Sequence, residues 1–426
     1  MDKCLKSYLD NQPILNLGCL GVVSEGKSTL IQKLTGIKTQ RHSSEVDRNI
    51  TIKQGYGNMK IWKNIKNDNL YSTNSNVNNT EDILLHHISF VDCPGHQDLL
   101  LTLLNSISLM DGVIFVIAVN QPLYKKHQLI QQLIATKIKK ITKYIFCLNK
   151  IDLVPKSTTL IRKQELDNIL KFCEIEPNAI IPTCFNKKIG LDILLESIIN
   201  IFDLNSCNKK NNDSPVIKIS RSFDINKPGT PINDLKGGII GGCLVRGNIS
   251  IKDKICILPG YCDTSNNEQK FIPIKTEIIS IKTDEINLNN VCAGGLIGIG
   301  TDIDPYFTKG DLLKGQIGVS ELNHNYNIVD TITIVFHNME FLSCMNSIDK
   351  SVLSMINIVQ SWKAEINTNI IVQSDNTATM GLIKEINLDK LTIKLNKLIC
   401  IEKDQIFILL IKNNSHEIVG IGYYEN

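Results

Sequence analysis

An α/β domain with a mostly parallel sheet, followed by two all-β barrels, is the fold class that the sequence predicts. Three observations predict it. Strand-like and helix-like segments alternate from residue 14 to residue 202, the grammar of a parallel sheet covered by helices. From residue 216 onward the helical pattern stops, and short alternating strands between Gly, Pro and Asn turns take over, as in barrels. The first strand runs into Gly21-x-x-x-x-Gly26-Lys27-Ser28 and then into a helix start, the context in which a glycine-rich turn can hold phosphate.

The bulk numbers agree. At 426 residues the chain is too long for one core, so two or three domains are expected. Apolar residues make up 42% and charged residues 21%, a globular balance. The net charge of +3 permits a nucleic-acid partner without arguing for one. The 13 cysteines are scattered through apolar runs with no CxxC pair, so free thiols are expected and no zinc. No segment reaches eighteen apolar residues without a polar break, so neither a signal peptide nor a membrane span is expected.

Element by element, ILNLGCLG (14–21) is a strand and GKSTLIQKLTG (26–36) a helix with Leu30, Ile31 and Leu34 on one face. MKIWKNI (59–65) is a strand, and the polar stretch 66–82 reads as a loop. LLHHISFVD (84–92) is a strand that ends in a CPGHQD turn, followed by a helix over 99–110. DGVIFVIAVN (111–120) has the all-apolar run of a strand buried on both faces. Helices over 124–138, 160–173 and 190–202 alternate with strands 144–149 and 179–184. Residues 205–215 read as a linker. The expected domains are 1–204, then 216–325 and 326–426 as barrels. The strands of the last barrel include SMINIVQS (354–361).

The chemistry concentrates in the first domain. Gly21 and Gly26 let consecutive backbone N–H groups curl around oxyanions. The helix N-terminus adds its dipole. Lys27 supplies a positive charge to the β and γ phosphates, and Ser28 a hydroxyl to Mg²⁺. Asp92, at a strand end, can hold Mg²⁺, and Gly95 can turn its N–H toward a γ phosphate. His96 can orient the attacking water or briefly share its proton. Thr51, in a polar segment, can complete the Mg²⁺ shell only when the γ phosphate is present. Asn149-Lys150-Ile151-Asp152 follows an apolar strand. An aspartate there accepts both N1–H and N2–H of guanine, two donors adenine lacks. The first domain is thus expected to be an α/β P-loop GTPase domain using GTP/GDP and Mg²⁺.

These motifs, in this order, resemble the translational GTPases of the elongation factor Tu type. RNITIKQGYGNMKIW, SFVDCPGHQDLLLTLLNS, LNKIDLV, SFDINKPGT, DLKGGIIGG and GGLIGIGTDIDP look like the gamma subunit of translation initiation factor 2. IVQSDNTATMGLIKEINLDKLTIKL still follows the pattern in the last hundred residues. The resemblance implies a carrier of methionyl initiator tRNA to the small ribosomal subunit, released by GTP hydrolysis. It implies alpha and beta partner subunits, alpha on the first barrel and beta on the GTPase domain, with activating and exchange factors. It implies an address where ribosomes assemble, the cytoplasm or the compartment of a reduced endosymbiont-derived nucleus. GTP would order 40–57 and 92–100, which with the first barrel would clasp the acceptor stem.

By the same resemblance, Gly21, Glu25, Gly26, Lys27, Ser28 and Thr29 line the phosphates, and Cys184-Phe185 contact the base beside Asn149, Lys150 and Asp152. Tyr56 either meets the aminoacylated tRNA end by stacking or anchors the first switch. The chain departs from the family where histidines usually stand, at Val22 and Glu25. Glu25 is expected to point to solvent, since only the backbone cradles phosphate. Competing readings are an elongation-type or selenocysteine-type factor, a scaffold with a relic nucleotide site, and a nucleotide-using metabolic enzyme. The KGGIIGG run and the NKPG turn speak against the first.

Overall fold

The computed structural model describes residues 9–37, 55–66, 68–73, 82–96, 99–123, 127–202, 213–263, 270–284, 286–321, 326–338, 362–375, 377–402, 405–412 and 416–425. The α/β domain is a seven-stranded sheet in the order β3-β2-β4-β1-β5-β6-β7. Its strands are β1 (Leu15–Leu20), β2 (Gly55–Lys63), β3 (Leu70–Thr73), β4 (Ile83–Asp92), β5 (Gly112–Ala118), β6 (Tyr144–Asn149) and β7 (Ala179–Pro182). Strands β4, β1, β5, β6 and β7 run parallel, while β2 and β3 are antiparallel. Helices α1 (Lys27–Thr35), α2 (Leu100–Ile107), α3 (His127–Ile138), α4 (Lys156–Cys173) and α5 (Leu191–Ile201) complete it. Every residue of β1, β5 and β6 is buried, as their unbroken apolar runs require. Strand order reverses at β1, which pairs with β4 on one side and β5 on the other. A crevice at the carboxyl ends of these strands is the usual ligand position in open α/β sheets.

The stretch read as a loop over 66–82 contains β3. Lys60–Lys63 pairs with Leu70–Thr73 through a turn closed by Asn64 N–H to the Asn69 carbonyl (3.0 Å). Backbone pairing builds this hairpin, and its half-buried residues carry no apolar alternation for a reader to find.

The first barrel comprises β8 (Val216–Phe223), β9 (Ile239–Ser250), β10 (Lys254–Asp263), β11 (Lys270–Thr283), β12 (Ile286–Leu288), β13 (Asn290–Thr301) and β14 (Ile317–Ser320). Its sheet runs β10-β14-β8-β9-β13-β11-β12 and closes by pairing β10 with β11. The second barrel, β15 (Asn327–Asn338), β16 (Asn369–Gln373), β17 (Ala378–Asn387), β18 (Lys390–Ile401), β19 (Ile406–Lys412) and β20 (His416–Tyr424), closes in the order β15-β18-β17-β16-β19-β20. The strand expected over 354–361 lies outside the described residues. Strand β16 is an addition to the sequence reading.

Polar contacts tie the three units together. Gln12 and Cys292 exchange two hydrogen bonds, Gln12 Nε2 to the Cys292 carbonyl and Cys292 N–H to Gln12 Oε1 (3.0 and 3.1 Å). Asn58 donates to Asp284 of the first barrel (2.7 Å). One carboxylate, Asp375 after β16, meets Lys139 at the end of α3 (3.4 Å) and Lys218 of β8 (3.2 Å). Burial alone would raise the Asp375 carboxyl, but Lys218 and then Lys139 hold it well below the ordinary carboxylate range.

A group with a depressed folded pKa contributes stability above its unfolded value of about 3.9, and loses it as pH falls through the folded value. Asp375→Asn should therefore be less stable at pH 7. It should also lose less further stability than the parent between about pH 4 and lower pH. Denaturant midpoints across that range test this, and parallel pH profiles for the two proteins would refute it.

Candidate functional site

The turn between β1 and α1 is shaped for an anion. Ser24 and Gly26 adopt left-handed backbone angles (φ 64 and 108), which aim successive N–H groups into one concavity. Gly26 is the N-cap of α1, and no side chain caps the helix. Its first-turn N–H groups and dipole therefore face the turn, with no acidic residue in that first turn to compete for them. A Cβ on Gly26 would lie 2.5 Å from Asn149 Nδ2, so only glycine fits. Lys27 is 6% exposed and donates to the Val22 carbonyl across the turn (2.8 Å). Thr29 follows on α1.

The end of β4 completes the phosphate side. Asp92 is fully buried, and Ser28 Oγ donates to its Oδ2 (2.8 Å). A hydroxyl and a carboxylate converging in this way form the hard-oxygen set that suits Mg²⁺. Burial pushes the neighbouring Cys93 thiol up to about 12, so it stays neutral beside that carboxylate. Gly95 packs directly on the turn: a Cβ there would lie 2.7 Å from Lys27 Nζ and 2.8 Å from the Gly21 carbonyl oxygen. His96, the next residue, is exposed. Thr51 lies outside the described residues, as do 40–54 and 97–98 of the two segments expected to order with nucleotide.

The base-side residues gather at the end of β6. Asn149 is 4% exposed and acts as a bracket. Its Nδ2 donates to the Glu25 carbonyl (2.8 Å), and its Oδ1 accepts from Phe185 N–H (3.3 Å). It therefore joins the phosphate turn to the 184–185 turn. Lys150, left-handed at φ 64, reaches back to the Ser24 carbonyl (2.8 Å). Asp152 sits in a short 3₁₀ turn, Ile151–Leu153. The Cys184 thiol donates to it, and Lys187 lies 3.4 Å away; together they hold its carboxyl below the usual range. Cys184 and Phe185 are both buried, and the Phe185 ring packs under Gly26. The aromatic residue fills space beneath the phosphate turn and leaves its N–H to Asn149.

One placement departs from expectation. Glu25 points inward. It is 4% exposed, and its Oε2 accepts the Ala118 N–H at the end of β5 (3.2 Å). The N–H at a strand end needs an acceptor when buried, and Glu25 supplies it from the turn. Tyr56 of β2 faces the first barrel, where its hydroxyl donates to Ser220 Oγ (3.5 Å). Burial pushes that hydroxyl up to about 12.

Sequence reading missed Gln132 of α3. This 4% exposed amide accepts Gly21 N–H at Oε1 (2.9 Å) and donates to the Gly21 carbonyl (3.4 Å). The available signal was a polar residue among the apolar positions Leu129 and Leu133 of one helix. Gln132→Leu leaves both Gly21 backbone groups buried without that partner, which is expected to cost about 1–3 kcal/mol. The checks are a lower unfolding midpoint and faster GDP release. Gln132→Glu keeps the acceptor for Gly21 N–H but turns a buried carboxylate oxygen toward the Gly21 carbonyl, and should cost at least as much.

Among the described residues no His, Cys, Asp and Glu group is arranged to hold a further metal ion. No helix among them is long and apolar enough to cross a membrane. The model of the elongation factor Tu GTP binding domain matches residues 12–204. The chain binds GTP with Mg²⁺ and hydrolyses it. It is 33% identical over 406 residues to the translation initiation factor 2 subunit gamma of Sulfurisphaera tokodaii, covering 93% of this chain and 94% of that one. It is also 33% identical over 429 residues to the eukaryotic subunit gamma of Encephalitozoon cuniculi, covering 97% and 93%.

Among solved structures, a bacterial selenocysteine-specific elongation factor matches with a TM-score of 0.71 at 18% identity. That match covers 96% of this chain, which spans 58% of the longer one. Elongation factor SelB of Methanococcus maripaludis, with a GTP analogue, matches with a TM-score of 0.67 at 15% identity, covering 98% and 80%. These likenesses speak for the shared fold. With the initiation-factor similarity running through all three units, the chain belongs to the gamma-subunit family of translation initiation factor 2, within the GTPases of the elongation factor Tu type.

Proposed function

We propose that the chain carries methionyl initiator tRNA to the small ribosomal subunit in its GTP form and releases it once GTP is hydrolysed. The observation that carries this reading is the identity to initiation-factor gamma subunits across both barrels as well as the GTPase domain. Its partners in translation are tRNA and the ribosome. The finer set comprises alpha and beta subunits, with alpha on the first barrel, and activating and exchange factors. The work is done where ribosomes assemble, in the cytoplasm or an equivalent compartment. Domain limits at 204, 216 and 326 suit this division.

In this reading Gly21, Gly26, Lys27, Ser28 and Thr29 bind the phosphates, and buried Glu25 braces the turn from β5. Ser28 and Asp92, with Thr51, hold Mg²⁺, which neutralises phosphate charge when bound. Gly95 offers its N–H to the γ phosphate, and its seat against Lys27 and Gly21 supports that role. His96 orients the water. Asp152 reads guanine, Lys150 covers the base beside Cys184 and Phe185, and Asn149 fixes both loops through Glu25 and Phe185. Tyr56, at the seam between the GTPase domain and the first barrel, meets the aminoacylated end when that seam opens.

The test is a filter-binding assay with the assembled factor. It compares charged initiator tRNA with charged elongator methionine tRNA, under GTP and under GDP. Preference for the initiator and for GTP is expected. Equal binding of the two tRNAs would sink the initiation reading and favour an elongation-type or selenocysteine-type carrier.

A further inference from the structure

Between the two barrels lies an open cleft of about 480 Å³, within the ~300–1,000 Å³ typical of ligand sites. The first barrel contributes Tyr261, Tyr306, Phe307 and Lys314 to its walls, and the second contributes Asn396 and Lys397. Three rings converge on one side. Tyr261 and Phe307 pack at 4.9 Å between centroids, and Tyr306 stands edge-on to Phe307 at 5.7 Å and 77°. Phe307 is thus held between the two tyrosines, while Tyr306 stays 71% exposed. A lone exposed aromatic needs no explanation, but this one caps an aromatic wall inside a concavity.

The charge pattern narrows the occupant. Among the described residues no Asp or Glu lines the cleft. Lys314 and Lys397 enter from opposite walls, and among the described residues neither makes an ion pair. Other lysines of the barrels do: Lys275 with Glu321, Lys390 with Glu425 and Lys394 with Asp330. Asn396 is exposed and adds an amide that both donates and accepts.

A flat ring face, a two-way amide and two cations without a competing acid match an unpaired nucleotide: stacked base, read edge, flanking phosphates. An apolar peptide anchor would gain nothing from the lysines. An acidic peptide would leave the ring faces unused.

We propose that this cleft binds one unpaired nucleotide of an RNA, with its base stacked on Tyr306 and its phosphates held by Lys314 and Lys397. The site is separate from the GTP site and stands whether or not the carried tRNA is the initiator. The unpaired 3′ end of a deacylated tRNA and a single-stranded stretch of ribosomal or messenger RNA share this chemistry.

The probe is a short single-stranded RNA carrying 2-aminopurine, whose fluorescence drops on stacking, titrated into the full chain with GDP bound. Saturable quenching is expected. Tyr306→Ala should weaken it by about 5–150-fold, the worth of one stacked base. Lys314→Glu and Lys397→Glu should weaken it and flatten its salt dependence. Unchanged far-UV circular dichroism and an unchanged unfolding midpoint report that each variant is folded.

No saturable quenching, or quenching that all three substitutions leave intact, overturns the proposal. So does displacement of the probe by an acidic aromatic peptide but not by unlabelled RNA. Competition by intact tRNA, but not by tRNA lacking its unpaired 3′ nucleotides, supports the site with the tRNA end as its source. Absence of competition by either, with quenching retained, supports it with ribosomal or messenger RNA.

Discussion

His96→Ala is expected to slow GTP hydrolysis by about 10²–10⁴-fold while changing GTP affinity by no more than about threefold. Gly95 is pinned between Lys27 and the Gly21 carbonyl, so close that a methyl group would collide with both. The residue after it is therefore delivered to the edge of the phosphate site whatever its side chain. The imidazole of His96 is exposed, and the phosphate turn is assembled from Lys27, Ser28, Asp92 and backbone groups without it. Losing it should leave binding intact and remove only what it does for water.

Single-turnover hydrolysis with saturating GTP separates the two effects. His96→Gln distinguishes the modes of action. Glutamine can orient a water by hydrogen bonding but cannot take its proton at neutral pH. Recovery of most of the rate by Gln assigns orientation, and failure to recover assigns proton sharing. Equal hydrolysis by the parent and His96→Ala would remove His96 from the mechanism.

What the sequence disclosed follows from how local each feature is. The phosphate turn was legible because its geometry needs glycine at fixed spacing, and Gly26 takes a left-handed angle where no Cβ fits. Strands β1, β5 and β6 were legible because strands buried on both faces must be apolar throughout. Strand β3 was not, since its formation rests on backbone pairing across a turn rather than on burial. Nor was the inward turn of Glu25. A carboxylate beside a phosphate site looks misplaced until the Ala118 N–H is seen opposite it. The Gln132 clasp on Gly21 spans 111 residues of sequence, and the Asp375 junction joins three units. Neither leaves a periodic or motif signal, because each is one polar contact in a chosen tertiary arrangement.

Asp152→Asn is expected to weaken GTP by about 10–150-fold, the ~1.5–3 kcal/mol of hydrogen bonds to a charged group, and to raise affinity for xanthosine triphosphate. The Cys184 thiol and then the Lys187 ammonium keep the Asp152 carboxyl below the usual range, so it is an acceptor-only carboxylate at neutral pH. Guanine offers two donors on one edge, N1–H and the N2 amino group, and a carboxylate takes both. Asparagine turns one of those acceptors into a donor facing a donor. Xanthine carries a carbonyl where guanine carries the amino group, so the asparagine amide finds an acceptor there. Lys187→Ala is the control for a merely electrostatic effect. That lysine is 61% exposed, and exposed ion pairs contribute about 0–1 kcal/mol. Its loss should move GTP affinity by less than about fivefold and leave the base preference unchanged. Equilibrium binding of both triphosphates to all three proteins decides the matter. If xanthosine triphosphate gains nothing in Asp152→Asn, Asp152 does not read the base.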